Sequence, residues 1–227
     1  MLRLSHGLAL ASLLLSAGCA TSGGRDEIAS RLKVAAVAER SGQGDVALSL
    51  YAAAADQAPD RPEVQRRYAH ALLAHGQPGQ AMEVLQQALR KNAGDPDLLA
   101  EAGRVQLALG QAEPALATYQ ALLRKAPQNV AALNGQGVAL DLLGRHGEAQ
   151  QSYRAVQALS PGDVAAGNNL ALSTLLEGRA AAAAALFGAV DQPGAPERVR
   201  QNRAIARAAA GETAEDPSVQ ALAAALR

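Results

Sequence analysis

Apolar residues recur along this chain at helical spacing, three or four positions apart, and nowhere with the two-residue alternation of a strand. The stretch from Asp95 to Asn129 shows the pattern most fully. Asp95 can cap a helix and Pro96 suits its first turn. Leu98, Leu99, Ala102, Val105 and Leu109 then fall on one face, and Gly110 supplies a left-handed stop. A second helix carries Ala115, Leu116, Tyr119, Leu122 and Leu123 on one face. Pro127 ends it, because proline lacks the amide donor and restricts the residue before it.

The same unit repeats. Its loop glycine returns at Gly42, Gly76, Gly110, Gly144 and Gly178, in steps of 34 residues. Each is followed at a fixed distance by an alanine (Ala47, Ala81, Ala115, Ala149, Ala183) and then by a large residue (Tyr51, Leu85, Tyr119, Tyr153, Phe187). Closing prolines stand at Pro59, Pro127 and Pro161, with Ala93 and Ala195 in the equivalent places. Four of the five aromatic residues of the chain occupy one repeat position, which argues against a chance pattern in an alanine-rich bundle. Two helices per 34 residues resembles the tetratricopeptide repeat. The resemblance implies an all-α, right-handed superhelix whose concave wall is built from the first helix of each unit. The repeats span about 28–61, 62–95, 96–129, 130–163 and 164–196, and a degenerate sixth begins at Glu197, its Gly211 arriving after 33 residues. Asp216 and Pro217 then open a capping helix with Val219, Leu222, Ala223 and Leu226 on one face. The alanine ladder marks the closest crossing of the two helices of a unit, and the large residues fill the gap towards the next unit.

Residues 1–18, MLRLSHGLALASLLLSAG, have a positive start, a short apolar core and small residues at the end, which is a signal-peptide pattern. The core is shorter than the roughly 20 residues of a spanning helix. Cys19, the single cysteine, follows at once, so no disulfide forms within the chain. Ser-Ala-Gly-Cys at 16–19 resembles a bacterial lipobox, with Ser16 where leucine is usual and Leu15 one place earlier. That resemblance implies acylation of Cys19, and Ala20 after it implies the periplasmic face of the outer membrane. Residues 19–27 then read as a lipidated flexible tether, small and polar, and residues 28–227 as the repeat domain with its cap.

Composition narrows the function. Formal net charge is zero, so nothing suggests nucleic acid, and aromatics are 2% with no tryptophan, so stacking platforms are absent. His70, His75 and His146 have no metal-ligand spacing, and no phosphate-binding glycine loop follows a strand. No catalytic set emerges, although sequence alone leaves a Ser/His/Asp site open. No cofactor or small-molecule substrate is expected, and the chain reads as a non-enzymatic binding protein.

Carried over from the tetratricopeptide family, the groove-facing fifth place of each first helix gives Leu32, Arg66, Ala100, Asn134, Asn168 and Gln201. The ninth gives Ala36, His70, Arg104, Val138, Leu172 and Ile205. Asn134, Asn168 and Gln201, with Asn169 beside them, form a row of side-chain amides suited to a peptide backbone, since an amide both donates and accepts. Arg66, His70 and Arg104 make the earlier half basic. The family's clamp for a terminal carboxylate needs Lys and Asn where this chain has Arg66 and His70, so that clamp is not expected.

Two stretches, GNNLALSTLLEGRAAAAAALF at 167–187 and PERVRQNRAIARAAAGE at 196–212, together resemble the tetratricopeptide lipoproteins of tight-adherence (Tad/Flp) pilus systems. Arg203 departs from the more usual apolar residue there. The resemblance implies a pilotin-like role: a lipid-anchored protein that binds the pilus secretin or its accessory subunits and helps the channel assemble. A pilotin of type IV pili and a general cell-envelope scaffold are the alternatives.

Overall fold

The computed structural model describes residues 19–214 and 216–226, with side chains from residue 26 onward. The expected signal peptide, residues 1–18, lies outside the described residues, as does the side chain of Cys19. Twelve α-helices and no strand occur among the described residues. In chain order they are α1 (Cys19–Arg40), α2 (Gly44–Gln57), α3 (Pro62–Ala74), α4 (Pro78–Lys91), α5 (Pro96–Ala108) and α6 (Ala112–Lys125), then α7 (Val130–Leu142), α8 (His146–Leu159), α9 (Val164–Leu176), α10 (Ala180–Val190), α11 (Glu197–Ala209) and α12 (Pro217–Ala225).

The punctuation is chemical. Asp95, Asn129 and Asp163 each accept a hydrogen bond from the amide three residues on, at 2.8–2.9 Å, as the capping pattern predicts. Each hairpin loop turns on a glycine; Gly110 has φ 72°, and its four counterparts lie between 70° and 82°. Pro62, Pro78, Pro96 and Pro217 sit in first turns, where the missing amide costs nothing.

Each helix packs on the one before and the one after, and the odd-numbered helices also touch one another from α3 through α11. The even-numbered helices make no comparable contact with each other, so the odd helices form a continuous inner layer and the array curves around it. This is the tetratricopeptide superhelix. The crossing alanines Ala81, Ala115, Ala149 and Ala183 are fully buried, and Leu85, Tyr119, Tyr153 and Phe187 pack behind them.

Close approach of the tyrosines depends on glycine. A Cβ built on Gly137 would lie 2.4 Å from Cε1 of Tyr153, and one on Gly103 or Gly135 would lie 2.5 or 2.2 Å from Cζ of Tyr119. Gly103 and Gly137 occupy the same repeat position, so the missing side chain on an inner helix leaves room for the ring of the outer helix.

Residues 19–27, expected as a tether, have a helical backbone from Cys19, continuous with the segment that buries Ile28, Leu32 and Ala35. Once that packed segment nucleates a helix, extension adds one hydrogen bond per residue fixed, and no proline interrupts it. Residues 20–27 therefore advance about 12 Å instead of the roughly 26 Å of an extended chain. At the other end of the array, α12 buries only part of its apolar face. Ala223 is buried and Val219 and Leu226 are half-buried, but Leu222 is exposed, because among the described residues α12 packs chiefly on α11.

Candidate functional site: the inner wall of the superhelix

The inner wall divides into an amide half and a charged half. In the amide half, Asn169 Nδ2 donates to Asn134 Oδ1 at 3.1 Å, and Asn168 Nδ2 donates to Asn169 Oδ1 at 3.3 Å. Asn202 Nδ2 completes the series by donating to Asn168 Oδ1 at 3.1 Å. The sixth place of one first helix thus donates to the fifth place of the helix before it. This rule explains why Asn202, and not Gln201, is the last member. Gln201 occupies a fifth place that receives no such donor among the described residues, and it is exposed. Asn168 is buried within the series, so its amide is already occupied by neighbours.

The charged half is organised by Glu101, which the sequence reading missed. Its side chain is 2% exposed, with Oε1 3.2 Å from His70 Nδ1 and Oε2 3.3 Å from Arg104 Nη2. Arg104 Nη1 also lies 3.0 Å from His70 Nδ1. That ring nitrogen accepts from the guanidinium when it carries no proton and donates to the carboxylate when it does. On the far side, His70 Nε2 is 3.7 Å from Glu39 Oε1, while Tyr51 donates to Glu39 Oε2 at 3.1 Å. Burial, then the Glu39 charge, raises the Tyr51 phenol above its ordinary pKa. Arg104 and His70 are therefore balanced by carboxylates, and the early half is not uniformly basic. Arg66 has no ion-pair partner among the described residues. The signal for Glu101 was its place in the sequence, one residue after a groove position and inside the apolar stripe of α5.

Ser, His and Asp do meet at one point, on the other side of the amide half. Asp141 Oδ1 accepts from Ser173 Oγ at 2.6 Å and lies 2.8 Å from His146 Nδ1, while Oδ2 accepts from Tyr153 at 2.9 Å. The order is wrong for nucleophilic catalysis. The carboxylate, not the imidazole, holds the serine, and Ser173 is fully buried. The cluster ties α7, α8 and α9 together. It gives His146 a structural role that spacing alone did not suggest. Burial, then the Asp141 charge, pushes the Tyr153 phenol far up. Among the described residues no group of His, Cys, Asp and Glu could hold a metal, and no helix is long and apolar enough to cross a membrane.

The tetratricopeptide-repeat family profile matches residues 38–87 and 72–136. No curated protein matches the chain by sequence. Several solved structures share the fold. TTC0263, a thermophilic TPR protein of Thermus thermophilus, has a TM-score of 0.72 at 21% identity, over 79% of this chain and 98% of that one. PilW, titled a widely conserved type IV pilus biogenesis factor, has 0.69 at 17% identity, over 79% of this chain and 82% of its own. PilF of Pseudomonas aeruginosa has 0.68 at 13% identity, over 90% of both chains. At these identities the likeness concerns the fold.

Proposed function

The chain is built as a tetratricopeptide-repeat protein, and from that premise we propose that it is a non-enzymatic outer-membrane lipoprotein that binds partner proteins through its inner wall to help assemble the Tad/Flp pilus apparatus. The partner would be the pilus secretin or an accessory subunit of the channel. The observation that carries the reading is the inner wall itself: a continuous layer of first helices lined by amides at one end and by arginines at the other. Such a wall suits the binding of protein segments. The Tad-like stretches at 167–187 and 196–212 contribute Asn168, Asn169 and Asn202 to that layer. Cys19 opens α1, so an acyl anchor there would hold the first repeat close to the bilayer.

A second reading, a pilotin of type IV pili, is supported by one observation: the fold aligns with PilW, titled a type IV pilus biogenesis factor, over 79% of this chain and 82% of that one. Affinity capture with the lipid-free domain from envelope extracts separates the two by which secretin comes down. Recovery of barrel-assembly or wall-synthesis proteins with no pilus component would refute both. The anchor has its own test. Cys19→Ser should move the protein from the membrane pellet to the soluble periplasmic fraction, and continued sedimentation with outer membranes would refute the lipidation.

A further inference from the structure

The N-terminal end of the inner wall holds a cation excess in a chain with zero net charge. Two adjoining clefts, of about 340 and 310 Å³, lie between α1 and α3 and share Ala36, Arg40 and Arg67. Lys33, Arg40, Arg61, Arg66 and Arg67 line them. Only two carboxylates do, and both are engaged, Glu63 by Arg67 Nη2 at 2.8 Å and Glu39 by the Tyr51 hydroxyl. Glu101, the next carboxylate along the wall, is held by His70 and Arg104. Three guanidinium nitrogens, Arg61 Nη1, Arg66 Nε and Arg67 Nε, are shielded from solvent and make no hydrogen bond within the described residues. Shielded cationic donors of this kind gain most from an anionic acceptor.

Between the cations the clefts are apolar, with Leu32 at the base and Ala29, Ala36 and Val37 along the α1 side. Alternating apolar and cationic lining fits a chain that alternates apolar and acidic side chains. It fits a bare phosphate poorly, since a phosphate leaves the apolar wall uncovered. The amide half, by contrast, has spent Asn168 and Asn169 on each other and on Asn134 and Asn202.

We propose that the cleft between α1 and α3 is the docking site for an acidic, apolar-interrupted peptide segment of a partner protein, whose carboxylates pair with Arg61, Arg66 and Arg67. The proposal rests on the reading of the array as a partner-binding protein and names the chemistry of what it takes.

The test uses the full mature chain and a short fluorescein-labelled peptide alternating Leu and Glu, followed by anisotropy at low salt. Binding should weaken about tenfold or more in the Arg61→Gln, Arg66→Gln variant, and as much when Gln replaces Glu in the peptide. It should also weaken steadily with added salt. The Arg124→Gln, Lys125→Gln variant removes the same charge from exposed positions on α6 and should leave affinity unchanged. Helicity is checked alongside; if the Arg61→Gln, Arg66→Gln pair unfolds the chain, Lys33→Gln with Arg40→Gln on α1 carries the same expectation. Equal binding of the Glu and Gln peptides, or equal loss in the α6 control, overturns the proposal. So does binding to phosphatidylglycerol vesicles with none to the peptide, which would assign the cleft to a lipid headgroup. If the peptide binds as expected while envelope capture yields no pilus protein, the cleft chemistry stands and only the pilus assignment falls.

Discussion

Gly137→Ala probes one of the closest inter-helix contacts in the array. In an unpacked helix this change stabilises by about 1 kcal/mol, because alanine is the better helix former. Here the new methyl would stand 2.4 Å from Cε1 and 2.6 Å from Cζ of Tyr153. The ring has no easy retreat: Tyr153 is buried and its hydroxyl is held by Asp141 at 2.9 Å. Overpacking costs about 1–3 kcal/mol, and pulling the hydroxyl off a carboxylate costs about 1.5–3 more. After the helix gain, a net loss of roughly 1.5–5 kcal/mol remains. For a chain of this size that is roughly 3–20 °C in melting temperature. Thermal and urea unfolding followed by circular dichroism would measure it. Gly147→Ala is the matched control on α8, with nothing within 4 Å of the added methyl, and should be neutral or slightly stabilising. Tyr153→Leu removes the ring, so the double variant with Gly137→Ala should cost less than the two changes summed. If Gly137→Ala melts at or above the parent temperature, or if the costs simply add, the ring-against-backbone packing described here is wrong.

Ala115→Leu should cost about 1–3 kcal/mol by forcing α5 and α6 apart, whereas the exposed Gln111→Ala should do little; equal melting of the two would contradict the repeat phase. Asn168→Ala should destabilise by about 1–3 kcal/mol, since Asn202 and Asn169 both lose a partner, while Gln201→Ala should be silent in the same unfolding assay. Alkaline pH should destabilise the fold. Burial raises the Tyr119 phenol from 10.0 to about 12, so the folded state holds that proton more tightly than the unfolded chain. Stability is complete below pH 10.0 and falls as pH rises through about 12, and Tyr119→Phe should make that decline shallower in an alkaline titration of unfolding.

The 34-residue period, the helices, their caps and their loop glycines were legible in the sequence because each depends on residues a few positions apart. Asp95 meets the amide of Leu98, and Gly110 closes its own turn, whatever the rest of the chain does. The buried stripe of α5 follows equally from spacing. Only the tertiary structure decided what the inner wall presents. Asn202 meets Asn168 across 34 residues, Asn169 meets Asn134 across 35, and His70 meets Glu101 across 31. These pairings depend on the offset between neighbouring first helices, which stacking sets and no local pattern records. The same offset left Gln201 in solvent, and it placed Gly137 under the ring of Tyr153. At the N-terminal end it set Arg66 and Arg67 of α3 against α1, where Arg66 makes no ion pair among the described residues. Local sequence can specify each helix pair, but the stacking of pairs decides which side chains neutralise one another and which are left for a partner.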